Sequence, residues 1–594
     1  MKILVFAPHA YIWKHAFPEA LLVESLMKTG HEILYVKCSG AFKKHCVPMI
    51  SSHIAHDAPI EIKNKMCIEC KANAALIVNS FKFPSLELDS FIDVVDQNDI
   101  ENIVNNTTRE NFSKLQFDGI KIGEIALYQV LLRYKQSTTN DFSEKAWQEY
   151  LKQLHISLTA FWALKKIISR HKPDRIIQYS GLYSVNSVCR QWAKKNNIPS
   201  YFLHAGLNQR DRLSQLIIAK SQTFDYIKSL FKSWEDKYKE MPCVREAITH
   251  VTDNFIDILK SKSFLSYSQS KSESFEIRKK FNIAEDKRVI VAIMSSYDEH
   301  LAADVVGAYQ HHIKPLFSTQ IEWIRTLINY FSKRQDLFLV IRLHPREFPT
   351  KREKKSAVMS QHAKDVELEF QKLPNNVAIN WPNDKVSFYD LIEETELFLN
   401  AFSTSARELT MLGLPVLTYN NEDVLEPVSI NYKGDNIEEY LNQIDILLEQ
   451  RFDVERIRKA YRWRALEQVY SHVSIAESFM EKDDFLNLGE KLIKKFSRTI
   501  NKVFPLRRQK KDIKKRSDKL KDAIIIDDLM VLDSGNISNV IHFSEYQLIN
   551  ENIEIDLIRS EMKRVMGCLY SSNKKIVKQN TLRSHLETFI NSKI

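Results

Sequence analysis

The feature that most constrains this fold is an alternation of short apolar runs with amphipathic stretches. The chain opens with the run KILVFAP, continues through a stretch that begins at Pro18 and closes at Gly30, and then enters the run HEILYV. Short apolar runs predict buried strands, and the amphipathic stretches predict helices that connect parallel strands. The same order returns in DRIIQYSG, SVNSVCRQWAKKNN and IPSYFLHAG. A parallel α/β domain is therefore expected at the amino terminus.

The alternation restarts after a linker rich in Ser and Lys, residues 260–276. It runs through RVIVAIMSS, QIEWIRTLINYFSKR and LFLVIRLHP, and later through ELFLNAF, STSARELTMLG and LPVLTY. At 594 residues the chain is too long for one core. We predict an α/β fold of two Rossmann-like domains facing a cleft, residues 1–259 and 277–452. Further predicted segments are a helical insertion at about 81–171, closing helices at 453–490 and a basic appendage at 491–594.

The basic character of the chain comes from one segment. Of a net charge of +10, residues 491–521 carry +12, with 14 Lys or Arg side chains against Asp512 and Asp518. Interleaved apolar side chains make this segment suited to an anionic membrane surface. No zinc-finger spacing or aromatic-rich motif favours nucleic acid. A solvated charged helix is the alternative, because most charge runs are only that.

The stretch LFLVIRLHPREF places charged side chains where a strand must end. Pro345 cannot donate a ladder hydrogen bond, so the strand is expected to end near His344. Ligands of open parallel sheets bind outside the carboxyl ends of the strands, so His344, Arg342 and Arg346 could face a phosphate. A turn with a solvated basic tip explains the same residues.

A second candidate for anion binding is the turn that follows ELFLNAF. Ser403 and Thr404 lie at the entry of a helix, where hydroxyls and free N–H groups can hold an anion. Glu408 lies on nearly the same helix face as Thr404 and can accept hydrogen bonds from ribose hydroxyls. Simple helix capping is the alternative. Ser295 and Ser296, which follow the strand RVIVAI, are cleft-edge candidates for which turn formation is the alternative.

The order RLHPRE and then SFYDLIEETELFLNAFSTSARELTMLGLPV resembles the carboxyl-terminal half of GT-B glycosyltransferases. More narrowly, it is similar to the bacterial capsule and surface-polysaccharide biosynthesis group, which includes Kdo transferases and bacterial sialyltransferases. The resemblance covers residues 289–419. It implies that His344, Ser403 and Thr404 bind the phosphates of a nucleotide-sugar donor and that Glu408 holds its ribose.

The resemblance leaves the catalytic base open. Relatives often carry an acidic-acidic-glycine motif in the first domain, whereas the nearest match in this chain is His204-Ala205-Gly206, which weighs against a CMP-linked donor. His204 can still act as a base, because an imidazole titrates near neutral pH. His15, in KHAFPEALL, resembles the histidine that deprotonates the acceptor in plant-type GT-B enzymes. Structural roles for both histidines are the third alternative.

Four of the seven cysteines cluster in the sequence, namely Cys38, Cys46, Cys67 and Cys70. Clustered cysteines in a cytosolic chain favour metal over disulfides, and four thiolates would form a closed structural zinc site. Two buried thiols beside a chance pair explain the same spacing. Catalysis is expected to need no cofactor, because no Asp-x-Asp motif for a metal-bound diphosphate is present.

These features predict a metal-independent glycosyltransferase. It would move a sugar from a CMP-, UDP- or GDP-linked donor to a glycan or lipid-linked glycan acceptor of a bacterial capsule or lipopolysaccharide. No signal peptide or membrane-spanning run is evident, so a cytoplasmic protein held peripherally on the inner face of the membrane is expected. The alternatives are a sugar-nucleotide epimerase of the same fold and a noncatalytic glycan-assembly scaffold.

Overall fold

A computed structural model gives the structure of the protein. It describes residues 1–221, 223–262, 270–272, 275–308, 316–350, 358–419, 426–427, 429–450, 452–479, 506–516, 549–570 and 581–592. The predicted linker lies partly outside these ranges. So does most of the basic segment, of which residues 506–516 are described.

The first sheet has seven strands in the order β13-β6-β5-β4-β1-β2-β3. Strands β1 to β5 are parallel, whereas β6 pairs antiparallel with both β5 and β13. The chain order therefore reverses between β1 and β4, where a crevice opens outside the carboxyl ends of the strands. The strands are β1 (Lys2–Phe6), β2 (Glu32–Lys37), β3 (Ser85–Glu87), β4 (Arg175–Tyr179), β5 (Ser200–Ala205), β6 (Gln215–Lys220) and β13 (Val473–Ser474).

The second sheet has six parallel strands in the order β12-β11-β10-β7-β8-β9. Its order reverses between β7 and β10, so this sheet also has a crevice at its carboxyl edge. Its strands are β7 (Arg288–Ile293), β8 (Leu337–Arg342), β9 (Val377–Asn380), β10 (Thr395–Asn400), β11 (Val416–Thr418) and β12 (Tyr432–Lys433). The two sheets confirm the predicted fold class of two Rossmann-like α/β domains.

Helices cover both faces of each sheet. In the first domain they are α1 (Trp13–Lys28), α2 (Val47–Ser51), α3 (Ile60–Phe81), α4 (Val94–Asn105), α5 (Ile122–Ile125), α6 (Tyr128–Tyr134), α7 (Glu144–His171), α8 (Ser184–Lys195), α9 (Thr223–Ser233) and α10 (Arg245–Leu259). In the second they are α11 (Ile277–Phe281), α12 (Tyr297–Val305), α13 (Gln320–Phe331), α14 (Gln361–Glu369), α15 (Phe388–Leu391), α16 (Ser405–Met411) and α17 (Ile437–Glu449). The remaining helices of the described residues are α18 (Val454–Ala465), α19 (Arg507–Lys515), α20 (Glu551–Leu569) and α21 (Leu582–Asn591).

The alternation of side chains along the central strands explains why these strands are almost wholly apolar. Ile3 and Val5 of β1 pack in one apolar cluster, whereas Leu4 and Phe6 pack in another on the opposite face. Strand β7 divides its side chains between two clusters in the same way. Strands covered on both faces need apolar residues at every position.

Two details differ from the sequence expectation. The first helix begins at Trp13, so Pro18 lies inside it rather than at its start. Burial of Trp13 and Phe17 explains the earlier start, because packing of an apolar face outweighs the local preference of proline. The closing helix α18 continues into a π-helical turn, Leu466–Tyr470, and then into β13, which carries the chain back to the first sheet.

No described helix is both long enough and apolar enough to span a lipid bilayer.

Candidate functional site

The carboxyl edge of the second sheet gathers the predicted donor-binding residues. The register pairs Ile293 of β7 with Arg342 of β8 and with Asn400 of β10, so the three strands end at one level. The segments that follow them contain Ser295, His344 and Ser403, respectively. All three therefore lie beside the crevice between β7 and β10.

The ring of His344 is held in one orientation by its own turn. Its Nδ1 accepts a hydrogen bond from Arg346 N–H at 3.3 Å and so caps the turn Pro345–Glu347. Burial lowers the pKa of His344, which favours the neutral imidazole. Because Nδ1 is the acceptor, the ring proton is on Nε2, which can donate it to an anion.

The turn after β10 presents hydroxyl groups at the same edge. Asn400 fixes this turn, since its Oδ1 accepts from Ser403 N–H at 3.2 Å and its Nδ2 donates to Ser403 O at 3.3 Å. The Ser403 hydroxyl accepts from Ser405 N–H at 3.3 Å and donates to Ser405 Oγ at 3.1 Å. Thr404 is exposed, and within the described residues its hydroxyl has no hydrogen-bond partner.

Glu408 lies one helical turn beyond Thr404 and is half-buried. Its Oε2 accepts a hydrogen bond from the Tyr389 hydroxyl at 2.5 Å. Burial raises the pKa of Glu408 to about 7, although Tyr389 and Arg464 act in the opposite direction. One carboxyl oxygen is thus occupied by Tyr389, and the other remains to meet a ribose hydroxyl.

Neither predicted phosphate-binding arginine points at the crevice. Arg342 is buried and donates to Asn380 Oδ1 and to Val386 O. Arg346 is buried too, with Nη1 at 2.5 Å from Asp298 Oδ2 and at 2.8 Å from Ser296 Oγ. These contacts show both guanidiniums bonded to buried partners, and phosphate binding by Arg342 and Arg346 stays a prediction.

The two serines after β7 also have structural partners. Ser295 exchanges two hydrogen bonds with the amide of Gln320, donating its N–H at 2.8 Å and accepting at its carbonyl at 3.1 Å. The Ser296 hydroxyl donates to Asp298 Oδ1 at 2.7 Å. These contacts fit the turn-forming alternative, and direct ligand contact by the two serines stays a prediction.

The first sheet brings both candidate bases to one place. The ring of His15 on α1 stacks on Tyr179 at the end of β4, with 4.1 Å between ring centroids. The ring of His204, in β5, lies 6.0 Å from that of Tyr179. A third histidine, His9, lines a small cavity with His15 and Tyr179. It lies three residues after the end of β1, and that position is the signal by which sequence reasoning could have found it.

Hydrogen bonds fix the tautomers of two of these rings. Nδ1 of His204 lies 3.0 Å from Ala205 O and must donate to it, so Nε2 keeps its lone pair. Asn186 donates from Nδ2 to Tyr179 O at 3.1 Å, which leaves its Oδ1 to accept from His9 Nε2 at 3.0 Å. Within the described residues, the ring of His15 makes no hydrogen bond. His204 and His15 therefore each have a nitrogen able to accept a proton.

All three imidazoles are neutral at pH 7. Burial lowers the pKa of His9 and of His204 to about 4, and burial with repulsion from His204 lowers the pKa of His15 to about 3. Arg212 adds to the repulsion on His15 and His204.

We expect the protein to lose stability as the pH falls from about 6.5 to about 4. In this window an unfolded histidine is protonated while His9, His15 and His204 remain neutral in the folded state, so acid favours unfolding. Each group contributes a slope of at most about 1.4 kcal/mol per pH unit. Urea unfolding at several pH values should give a shallower slope for His9→Gln than for the native chain, because the variant lacks one of the three neutral imidazoles. Identical slopes for the two chains would contradict this expectation.

The four clustered cysteines line a cavity of about 290 Å³ at the ends of β1 and β2. Burial raises the pKa of all four thiols, that of Cys38 to about 11 and that of Cys70 to about 12. In the part of the chain that the structure describes, no three His, Cys, Asp or Glu side chains are arranged to hold a metal ion. The predicted zinc site thus lacks a ligand set in this geometry, and elemental analysis is its test.

The two carboxyl edges meet through α6 and α12. Helix α12 follows β7, and its Ala302 and Ala303 are buried in an apolar cluster of the first domain. Arg346 Nη2 donates to Leu132 O in α6 at 2.8 Å, and Ser187 in α8 donates to Val306 O at 3.3 Å. These contacts join the edge that carries the histidines to the edge that carries His344.

No protein-family model and no curated protein matches the sequence. Solved structures show only distant likeness. A Kdo transferase, KpsC of Thermosulfurimonas dismutans, is 12% identical with a TM-score of 0.31 over 50% of this chain and 79% of that one. The MnaA–UDP complex of S. aureus is 12% identical with a TM-score of 0.25, over 78% of this chain and 94% of that one. The UDP-GlcNAc 2-epimerase of Methanocaldococcus jannaschii is 13% identical with a TM-score of 0.25, over 78% of this chain and 98% of that one. These TM-scores are too low to assign a function to this chain.

Proposed function

We propose that the protein is a GT-B-type glycosyltransferase that moves a sugar from a nucleotide-sugar donor to a bacterial surface glycan, of a capsule or a lipopolysaccharide. One observation carries this proposal: two Rossmann-like carboxyl edges line one cleft, and one edge offers hydrogen-bond donors whereas the other offers groups that can accept a proton. The second edge presents hydrogen-bond donors suited to a phosphate, namely His344 Nε2–H and the Thr404 hydroxyl. The first edge presents neutral imidazoles with free lone pairs.

In this proposal the donor nucleotide binds at the edge of the second sheet. His344 and Thr404 donate to the phosphate oxygens, and the free oxygen of Glu408 accepts from the ribose. As the bond between the sugar and the phosphate breaks, negative charge grows on the leaving oxygen. Donors that are already in position stabilise that charge at little reorganisation cost. In the proposed mechanism, the residues of this edge therefore stabilise the leaving group, and no metal ion is needed.

The acceptor hydroxyl enters from the first sheet. It attacks the anomeric carbon, and its proton passes to a lone pair on His204 Nε2 or on His15. A neutral imidazole can take this role at pH 7, because it is a base only when unprotonated. Both histidines remain candidates, since they flank the same Tyr179 ring.

Thermal unfolding with CMP, UDP, GDP and CDP tests the donor half of the proposal. A nucleotide at about 100 times its dissociation constant should stabilise the full-length protein by about 2.7 kcal/mol. Adenosine is a suitable control, because it has a ribose and a base but no phosphate. Absence of stabilisation by every nucleotide would favour the noncatalytic scaffold instead.

We also propose that the basic segment 491–521 holds the enzyme on an anionic membrane, where a lipid-linked acceptor would lie. Its described part supports this. In α19 one face docks on the first domain, with Asp512 accepting from Trp13 Nε1 at 2.9 Å and Ile513 buried. The other face exposes four lysines, namely Lys510, Lys511, Lys514 and Lys515.

Neutralising the exposed lysines of α19 should weaken membrane binding. Each Lys or Arg near an anionic surface contributes on the order of 1 kcal/mol, and salt screens this attraction. We expect the full chain to sediment with anionic vesicles at low salt and to be released at high salt, whereas a full-length chain with Lys510, Lys511, Lys514 and Lys515 replaced by glutamine should sediment much less. Equal sedimentation of both chains, or binding that ignores salt, would contradict the proposal.

A further inference from the structure

Arg212 is a cation at the first edge that the proposed reaction does not use. It begins a short turn, Arg212–Ser214, between β5 and β6, and it is half-buried. Within the described residues its guanidinium makes no hydrogen bond and no ion pair. Arg210 of the same loop differs, because its Nη1 lies 2.5 Å from Asp253 Oδ2. Partial burial of an unpaired charge costs free energy, and an anion bound beside Arg212 would offset that cost.

The groups that face Arg212 cannot supply that anion. Burial lowers the pKa of Arg212, and its neighbours Tyr179 and Tyr183 have raised pKa values and so are neutral. The histidines of this edge are neutral as well. The nearby carboxyl group of Glu19 lines a small cavity with His15, and burial raises the pKa of Glu19 to about 8. Within the described residues, Arg212 is thus without a neighbouring counter-ion at pH 7.

The loop backbone holds Arg212 in place. Gly206 N–H donates to Arg212 O at 2.9 Å and to Gln215 O at 3.1 Å. A side chain at position 206 would lie 2.9 Å from that of Gln215, which explains the glycine there. The turn is tied further to α10, since Asp211 lies 3.2 Å from His250. The backbone of Arg212 is therefore fixed before any ligand arrives, and its planar guanidinium matches the geometry of a carboxylate or phosphate.

We propose that Arg212 binds an anionic group, a carboxylate or a phosphate, carried by a substrate at the first edge. The identification of that substrate as the acceptor or the transferred sugar rests on the proposed function. A carboxylate would come from an acidic sugar, and a phosphate from a phosphorylated or lipid-phosphate acceptor. Binding of either would offset the charge that now repels protons from His15 and His204, and so would make both imidazoles stronger bases.

Direct binding measurements test this inference. The full-length protein is titrated with D-glucuronate, D-glucose and inorganic phosphate at constant ionic strength and with UDP present to occupy the second edge. We expect glucuronate or phosphate to bind at least about tenfold more tightly than glucose, since hydrogen bonds to charged groups are the strong ones. Arg212→Gln should remove this preference, Arg212→Lys should retain part of it, and the control Arg210→Gln should keep it. Circular dichroism verifies that each variant is folded.

The outcomes separate the two proposals and the two sources of the anion. A preference for glucuronate that depends on Arg212 indicates an acidic sugar, and one for phosphate indicates a phosphorylated substrate. No preference in the native chain, or a preference that survives in Arg212→Gln, overturns the inference. Should Arg212→Gln not fold, a preference unchanged in Arg212→Lys overturns it. Nucleotide titrations of the same samples report separately on the proposed function.

Discussion

Replacing His344 with alanine is expected to weaken nucleotide binding by about ten- to a hundredfold while the protein stays folded. The variant loses the Nε2–H donor to an anionic phosphate, and a hydrogen bond to a charged group contributes about 1.5 to 3 kcal/mol. Sugar transfer should fall by at least the same factor, because the charge on the leaving phosphate grows in the transition state. Calorimetric titration with the nucleotide that stabilises the native protein measures the effect.

Alanine also removes the cap that His344 provides for the turn Pro345–Glu347. His344→Asn is the matched control, because an asparagine oxygen can accept from the Arg346 N–H but the side chain is shorter than an imidazole. We expect the control to recover the stability of the native protein and not its nucleotide affinity. If either variant binds the nucleotide as tightly as the native protein does, His344 does not contact the donor.

Replacing Glu467 with alanine is expected to lower the free energy of unfolding by about 3 to 5 kcal/mol. Glu467 is buried in the π-helical turn and forms ion pairs with Arg407, at 2.6 Å, and with Arg464. Removal of the carboxylate leaves two mostly buried guanidiniums with less negative charge beside them, and a buried charge that loses its partner is strongly destabilising. Urea unfolding followed by tryptophan fluorescence suits this region, since Trp463 is buried in the adjacent helix.

An exposed ion pair provides the comparison. Glu449 lies 2.9 Å from Arg288, and its side chain is 77% exposed. Glu449→Ala should cost no more than about 1 kcal/mol, because water screens such pairs. If Glu467→Ala and Glu449→Ala have the same small effect, the buried network does not hold α16 against the closing helix in the way described.

Much of the fold could be predicted because its signals are local. The strand LFLVIR is wholly apolar until Arg342, and Pro345 ends it, so the position of His344 at a carboxyl edge follows from the sequence. The turn after β10 was predictable for the same reason, since the apolar run ends just before Ser403. Parallel strands share one carboxyl edge, so these two residues had to lie near each other once both strands were placed in one sheet.

The roles of the arginines could not be predicted, because they depend on partners distant in the sequence. Arg346 pairs with Asp298 of α12 and reaches Leu132 in the other domain. Arg212 looks like an ordinary loop residue until the fold brings it beside His15 and Tyr179. The sequence alone does not show whether a basic side chain next to a proline faces solvent, a phosphate or a buried carboxylate.

We propose that the donor nucleotide occupies the carboxyl edge of the second sheet, across the cleft from the histidines. An experimental structure of the full-length protein with its stabilising nucleotide tests it most directly. We predict a phosphate oxygen within hydrogen-bond distance of His344 Nε2, another beside the Thr404 hydroxyl, and the ribose at Glu408. A nucleotide bound instead at the first edge, beside His15 and Arg212, or in the cavity lined by the cysteines, would contradict the account.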